Sequence, residues 1–127
     1  MGLPGMELRV PLVLSEGLRR AIPVTTLADV LAAGPARSFG LYPRKGALAV
    51  GSDADLVVWD PRAPSRIGRE GLHEGLGHSP YEGLHLDGSI RLSVIGGRVF
   101  ARDGQATGEP TGGRFVAPDA YERSQRA

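Results

Sequence analysis

The sequence contains no cysteine, no long apolar run and almost no net charge. The absence of cysteine excludes disulfides, thiolate metal sites and a cysteine nucleophile, and it favours a reducing compartment. The first twenty residues carry a charge at Glu7 and breakers at Pro4, Gly5 and Pro11, so they predict neither a signal peptide nor a membrane span. The formal charge of +1 provides no field that would attract nucleic acid or an anionic membrane. We therefore expect a cytoplasmic protein with no nucleic-acid or membrane partner.

The common motifs of nucleotide binding and nucleophilic catalysis are also missing. The glycines form neither G-x-G-x-x-G nor a P-loop. None of Ser15, Ser52 and Ser79 stands in a G-x-S-x-G turn, the setting of a catalytic serine in α/β hydrolases. The residues taken alone assemble no catalytic site.

The three histidines invite a zinc hypothesis. His73, His78 and His85 are separated by five and seven residues, which matches neither an H-x-H strand pair nor the i, i+4 pair of a helical zinc site. They also fall in the least regular part of the sequence. Loop histidines are therefore favoured over a metal site.

The 127 residues are enough for one domain, and 19 glycines with 10 prolines predict short elements and many turns. The stretch "PLVLSEGLRRA" predicts a short helix. Its last residues are basic, and they interact favourably with the partial negative charge at the C-terminal end of a helix. A second helix is indicated by the capping-box spacing of Thr26 and Asp29, and Gly34 is expected to stop it. Pro35 then starts a single further turn that Gly40 closes.

After residue 42 the pattern becomes extended. "ALAV" at 47–50 and "ADLVVW" at 54–59 each lie between turn residues, so both predict short strands. The continuous apolar run Leu56–Trp59 is typical of a strand covered on both faces.

Order is weaker in the rest of the chain. Residues 62–86 predict a long irregular connection with a brief strand near Ser65–Ile67. Gly96 and Gly97 separate two β-rich runs, which indicates a type I′ hairpin because both central residues of that turn need positive φ. The tail at 105–127 has few apolar residues in its last part and is expected to be mobile unless a partner holds it.

Two charged pairs lie around the first predicted strands. Asp53 and Asp55 could form a metal or general-base pair, or they could each bind local backbone N–H groups at the entry to a strand. The second interpretation is favoured because no further ligand lies near them in sequence. Arg44 and Lys45 beside Tyr42 could bind a phosphate or carboxylate, but such a basic step is more often a solvated turn.

Four stretches together resemble a known family. "GLPGMELRVPLVLSEGLRR", "GPARSFGLYPRKGALAVGSDADLVVWDP", "SPYEG" and "SVIGGRVFARDGQ" are similar, in order, to the C-terminal portion of a cyclic-amide hydrolase. The family is the dihydropyrimidinase, hydantoinase and allantoinase group of the amidohydrolase superfamily, and the likeness runs from about Gly2 to Phe115. It implies a (β/α)₈ barrel with a binuclear zinc site, joined to a small β-sandwich.

The resemblance implies an α+β fold with three parts. Residues 1–41 would hold the C-terminal helices of the barrel, residues 42–104 would form part of the β-sandwich with a long loop, and residues 105–127 would be an extended tail. The strands around Asp53 would belong to the sandwich, so this interpretation makes a set of residues structural: Gly46, Gly51, Asp53, Asp55, Trp59, Gly96 and Gly97.

The resemblance also implies where the chemistry lies. In the complete family member a metal-bound hydroxide attacks a ring amide carbonyl. The ligands are an H-x-H pair, a carboxylated lysine, two further histidines and an aspartate, and this chain has none of those motifs. It therefore implies no catalytic residue, metal ligand or cofactor here. Gly2 and Leu3 are weak candidates for substrate contact, and the preceding residue is Met1 where many relatives have an asparagine.

The expected partner is the missing barrel portion or a second copy of the chain, and the cyclic amide would bind only the complete enzyme. Alone, the chain would support structure and oligomers without turnover. Two alternatives stay open: a non-catalytic interaction module, and a truncated gene product without function.

Overall fold

The computed structural model of the protein describes residues 5–68, 72–73, 78–107 and 113–118. The fold is α+β, with helices in the first third of the chain and strands after them. The helical elements are α1 (Arg9–Arg19), α2 (Val24–Ala28), a π-helical turn (Asp29–Ala33) and α3 (Gly34–Ser38). The strands are β1 (Leu56–Asp60), β2 (Ser65–Arg66), β3 (His85–Leu86), β4 (Ser89–Ile95), β5 (Arg98–Arg102) and β6 (Gln105–Ala106).

The first predicted helix is present and begins slightly earlier than expected. Pro11 lies in the first turn of α1, where a missing N–H breaks no intrahelical bond. At the other end, the N–H of Ile22 donates to the carbonyl of Gly17 and the N–H of Ala21 to that of Leu18, both at 2.9 Å. This is a Schellman arrangement, and it places Ala21 at a φ of 57°, a region that glycine usually occupies.

The second helical stretch departs from the prediction in two ways. Helix α2 begins at Val24 after Pro23, with no side-chain cap, so the predicted capping box is wrong and Thr26 lies inside the helix. Gly34 does not stop the helix either, because its φ of −60° is helical. The N–H of Gly34 donates to the carbonyl of Asp29 and closes a π-helical turn, which is wider than an α-helical one. Pro35 follows this turn and has no N–H to donate, so the helical path continues there without a backbone bond from Pro35.

Helix α3 ends where the sequence predicts. The N–H of Leu41 donates to the carbonyl of Ala36 at 2.8 Å, and that of Gly40 donates to Arg37 at 3.2 Å. Gly40 has a φ of 67°, so it supplies the left-handed residue of a second Schellman arrangement. The chain then turns back, and the positive-φ Gly46 lies so close to the helix that a Cβ there would meet the carbonyl oxygen of Ala32 at 2.7 Å.

The strands form an antiparallel four-stranded sheet in the order β1-β4-β5-β6, and β2 pairs with β3 separately. The predicted hairpin joins β4 and β5, and Gly96 and Gly97 have φ values of 56° and 78°, as a type I′ turn requires. The brief strand predicted near Ser65 is also present as β2. Strand β6 extends the sheet into residues that the sequence analysis assigned to the tail.

Two strand predictions are wrong. Residues 47–50 form a bend and turn instead of a strand, because no described strand lies beside them, and Leu48 exposes 86% of its surface. Strand β1 is not covered on both faces either. It lies at the edge of the sheet, where Leu56, Val57 and Val58 are 36%, 49% and 45% exposed.

One face of the four-stranded sheet is largely apolar and partly open, with Arg102 opposite Leu92 as its charged member. Cross-strand partners share a face, and the register pairs Val58 with Leu92, Leu56 with Val94, and Val94 with Val99. We call these five residues the apolar sheet face. Its members on β1 and β5 remain exposed, so nothing among the described residues covers that side completely.

The largest buried cluster lies where α1 meets β2 and β3. Leu8, Ile67 and Leu86 are buried there, and Leu12 and Tyr81 pack against them. The cluster fixes the position of α1 relative to the strands. Among the described residues, no helix is long and apolar enough to cross a membrane. The expected mobile tail lies partly outside the described residues, since 108–112 and 119–127 are not among them.

Candidate functional site

An ionic cluster joins the turn after α3 to the β4–β5 hairpin. The Lys45 ammonium donates to Asp53 Oδ2 at 2.9 Å and to Asp55 Oδ2, and the Arg44 guanidinium reaches Asp53 Oδ2 at 3.3 Å. Asp55 Oδ1 accepts the N–H of Gly96 at 2.8 Å. The D-x-D pair thus binds the preceding basic step and the hairpin turn, and not the local N–H groups that the sequence suggested.

The electrostatics of this cluster oppose a catalytic role. Hydrogen bonds from Lys45 lower the pKa of Asp53 and Asp55, and the N–H of Gly96 lowers that of Asp55 further. The two carboxylates in turn raise the pKa of Lys45. A carboxylate with a lowered pKa is a poor general base near neutral pH. The oxygens of the two carboxylates are already occupied by Lys45, Arg44 and the N–H of Gly96. The arrangement can hold the hairpin against the turn, but it is not poised to move a proton.

Trp59 packs closely against Gly88. A Cβ at Gly88 would lie 2.2 Å from Cζ2 of the Trp59 ring, so only glycine fits there. The Nε1 atom of Trp59 is buried without a hydrogen-bond partner among the described residues. This contact closes the end of β1 against the start of β4.

The feature that the sequence analysis missed is an apolar groove along α1 and α2. Leu27 crosses α1 at Gly17, where a Cβ would lie 2.4 Å from Leu27 Cδ2, so the two helices approach closely. We call this surface the helical groove. Its apolar lining consists of Met6, Leu12, Val13, Ile22, Leu27, Val30, Tyr81 and Leu84, and its charged lining of Arg9, Glu16 and Arg20. The one sequence signal for it was a glycine in the middle of an otherwise amphipathic helix.

The model of the amidohydrolase family matches residues 6–100, which include the described helices, strands β1 to β4 and the first three residues of β5. The chain belongs to the amidohydrolase family. Within that family it is similar to hydantoinases and dihydropyrimidinases, as the resemblance implied.

Curated and solved relatives of this amidohydrolase chain agree. The D-hydantoinase of Ralstonia pickettii is 37% identical over 122 residues, covering 96% of this chain and 27% of the relative. A D-phenylhydantoinase of Escherichia coli is 40% identical over 116 residues, covering 91% and 25%. The D-hydantoinase structure from a Thermus species matches with a TM-score of 0.80 and 39% identity, covering 85% and 24%. The chain thus spans about a quarter of the length of these relatives.

Amidohydrolases are generally metal-dependent, so we tested whether this chain's residues fit a metal. His73 is engaged by Glu7, whose Oε1 lies 2.8 Å from Nδ1 and whose Oε2 accepts the backbone N–H at 2.9 Å. His85 lies on β3, and Asp53 and Asp55 are bound to Lys45. In the described part of the chain, no three His, Cys, Asp or Glu side chains converge as a metal site requires. The described residues do not fit the family's metal centre.

The weak candidates for substrate contact, Gly2 and Leu3, lie outside the described residues. The structural residues of the prediction lie in two places. Gly46, Asp53, Asp55, Gly96 and Gly97 surround the ionic cluster and its hairpin, whereas Trp59 packs at the other end of β1. Gly51 has a φ of 93° with open space around it, so its glycine is required by the turn and not by packing.

Proposed function

We propose that this chain serves as the C-terminal portion of a hydantoinase-like hydrolase, which opens cyclic amides at a C–N bond that is not a peptide bond. The chain would contribute structure and support for oligomers, without catalytic groups of its own. One observation carries the proposal: 96% of the chain matches only 27% of a D-hydantoinase, while several of its large apolar side chains are exposed. A surface of that kind is typical of a protein that packs against more protein.

The three predicted parts give this proposal its architecture. Residues 1–41 would belong to the end of a (β/α)₈ barrel, which is supported by helices with an apolar groove on one side. Residues 42–104 would form part of a β-sandwich, which is supported by the partly open apolar sheet face, because a sandwich needs a second layer there. Residues 105–127 would be an extended tail.

The same proposal assigns the zinc to the rest of the enzyme. The described residues of this chain converge on no metal site, and the ionic cluster is neutralised internally. The cofactor, the cyclic-amide substrate and the reacting groups would therefore be held by the portion that this chain packs against. We place the complete assembly in the cytoplasm.

Fragment complementation tests the proposal. The portion of the Ralstonia pickettii D-hydantoinase that this chain does not match would be co-expressed with the chain, and opening of a hydantoin ring would be measured. We expect hydrolysis with both polypeptides and none with either alone. Hydrolysis by the chain alone, or none by the pair, would contradict the proposal.

A matched pair of variants makes the test specific. Val58 lies on the apolar sheet face, and Val58→Asp should abolish the restored hydrolysis because a carboxylate would be buried under the second layer. Arg62 is an exposed residue beyond the same strand, with a side chain 92% exposed, and Arg62→Ser should leave hydrolysis unchanged. Equal effects of the two variants would show that the sheet face is not covered in the complex.

A non-catalytic interaction module is the second candidate, and the exposed apolar lining of the helical groove favours it. It predicts that the chain associates with itself at micromolar concentration without any hydrolase partner. Sedimentation equilibrium of the chain alone distinguishes the two functions. A functionless gene product predicts instead no partner and no cooperative unfolding.

A further inference from the structure

We propose that the helical groove is the surface on which the remainder of the hydantoinase-like enzyme docks, and that this remainder places a carboxylate opposite Arg9. The inference rests on the proposed function and goes beyond it, because it names the chemistry of the contacting surface. It follows from how the groove's apolar and charged side chains are arranged.

The walls of the helical groove are too apolar for a surface meant to face water. Met6 is 77% exposed, Val30 is 60% exposed and Leu84 is 48% exposed, and all three line the groove. Leu27 lines the same groove and is buried where α2 crosses α1. A contiguous apolar surface with a charged rim is typical of a protein–protein contact.

The charges on the rim are not equivalent. Both carboxylate oxygens of Glu16 are occupied, Oε2 by the Arg19 guanidinium at 3.1 Å and Oε1 by Arg20 Nε at 2.6 Å. Arg19 also reaches Asp87 at 3.0 Å. These charges are neutralised within the chain, so the groove can be covered at their end without leaving a charge unpaired.

Arg9 differs from them. It lines the same groove and is exposed, and its guanidinium makes no hydrogen bond or ion pair with any residue in the described part of the chain. An arginine guanidinium carries a positive charge on a planar group with five N–H donors. A partner that fills the groove removes this guanidinium from water, and a buried charge without a partner weakens association strongly. A carboxylate meets the requirement best, because it can accept two parallel hydrogen bonds from the planar fork.

The occupant is therefore a protein surface with apolar side chains and one Asp or Glu opposite Arg9. The remainder of the enzyme fits this description better than a second copy. Two copies that met groove to groove would have to bury two unpaired Arg9 guanidinium groups, since the one acidic residue lining the groove, Glu16, is already occupied on both oxygens.

A binding measurement tests the proposal. The chain and the remainder of the D-hydantoinase would be co-expressed and purified as a complex, and its dissociation on dilution would be followed through a fluorescent label on the chain. Arg9→Met keeps most of the apolar stem and removes the charge, and it should weaken binding roughly 30-fold or more, as expected when one partner of a buried charge pair is lost. Arg62→Met is the matched control and should change the dissociation constant by less than about twofold, because Arg62 is an exposed residue outside the groove.

A second variant set identifies the carboxylate. Each Asp and Glu of the remainder would be changed to Asn or Gln in the wild-type and Arg9→Met backgrounds. One such change should cost as much as Arg9→Met alone and add little to it, which is the signature of a direct pair in a double-mutant cycle. Arg9→Met binding as tightly as the wild type would overturn the proposal, as would a remainder in which no carboxylate shows this coupling.

Activity is measured separately so that the two proposals can fail independently. Binding that depends on Arg9 without hydantoin hydrolysis would overturn the proposed function and leave the docking surface in place. If hydrolysis were restored and Arg9→Met bound as tightly as the wild type, the proposed function would stand and the docking proposal would be overturned. Self-association of the chain that Arg9→Met does not alter, with no binding of the remainder, would overturn the docking proposal in favour of a second copy.

Discussion

The hydroxyl of Ser15 on α1 accepts a hydrogen bond from the backbone N–H of Asp87, with 2.9 Å between Oγ and N. Ser15 is 1% exposed, and the Arg19 guanidinium one turn later binds the Asp87 carboxylate at 3.0 Å. Two bonds from one face of α1 thus hold the turn between β3 and β4. The helical part and the strand part of the chain are joined at this point by polar contacts next to the apolar cluster.

Ser15→Ala should destabilise that junction. The N–H of Asp87 would lose its partner, so we expect the free energy of unfolding to fall by about 1 kcal/mol and exchange of the Asp87 amide hydrogen to accelerate. Ser38→Ala is the control, because the exposed Ser38 hydroxyl bonds only the Gly34 carbonyl of its own helix. Urea unfolding and amide exchange measure both effects. Equal changes in the two variants would mean that the Asp87 bond does not stabilise the junction.

Gly17 and Leu27 should show a sign reversal in a double-mutant cycle. Gly17→Ala alone places a methyl group 2.4 Å from Leu27 Cδ2, and overpacking of this kind costs about 1–3 kcal/mol. In a Leu27→Ala background the space is free, and the same change should stabilise the helix by up to about 1 kcal/mol, because alanine is the better helix former.

Chemical unfolding of the four proteins measures that cycle. The coupling should be destabilising and about 1–3 kcal/mol in size, which is within the range expected for residues in contact. If Gly17→Ala had the same effect in both backgrounds, the close approach of α1 and α2 would not be limited by these two residues.

Ala21→Gly should stabilise the chain. Ala21 follows the end of α1 and has a φ of 57°. This conformation costs a residue with a Cβ roughly 1 kcal/mol relative to glycine. We expect the free energy of unfolding to rise by a few tenths to about 1 kcal/mol. The rise is smaller than the relieved strain because an unfolded glycine has more conformational entropy to lose on folding. Ala28→Gly, at an exposed position in α2, is the control and should lose about 1 kcal/mol. A loss in both variants would mean that the left-handed conformation of Ala21 carries no strain.

Local chemistry explains what the sequence could predict. Gly96 and Gly97 specify their hairpin turn through their own backbone freedom, and Gly40 ends a helix for the same reason. The family resemblance, confirmed by the amidohydrolase match, rested on ordered motifs over most of the chain. None of these required knowledge of distant contacts.

The failures arose where a neighbour decides the outcome. Residues 47–50 have the composition of a strand, but a strand forms only beside another strand, and none of the described ones lies there. The sequence predicts that Gly34 stops the second helix, but a π-helical turn, which leaves no local signature, carries the chain on into α3. The helical groove depends on the contact of Gly17 with Leu27, which lie on different helices.

The ionic cluster should make stability depend on pH at both ends of the range. Lys45 lowers the pKa of Asp53 and Asp55, so the folded state binds fewer protons than the unfolded state around pH 4. Their contribution is present above the ordinary carboxyl pKa and is lost as the pH falls through the lowered values. The raised pKa of Lys45 works in the opposite sense, because its contribution is present below the ordinary lysine pKa and is lost as the pH rises through the raised value.

Lys45→Met should therefore be less stable than the wild type at neutral pH, and the difference between them should shrink below about pH 4 and above about pH 10, where the ordinary pKa values lie. Urea midpoints from pH 2 to 11 for both proteins measure this difference. Arg62→Met is the control, because the Arg62 side chain is 92% exposed and lies 3.9 Å from Asp60, so solvent screens the pair. Its difference from the wild type should stay small at every pH. Only the charge of Lys45 is linked to the titration of the two carboxylates. If the difference between Lys45→Met and the wild type did not change with pH, Lys45 would stabilise the turn through packing of its stem and not through its charge.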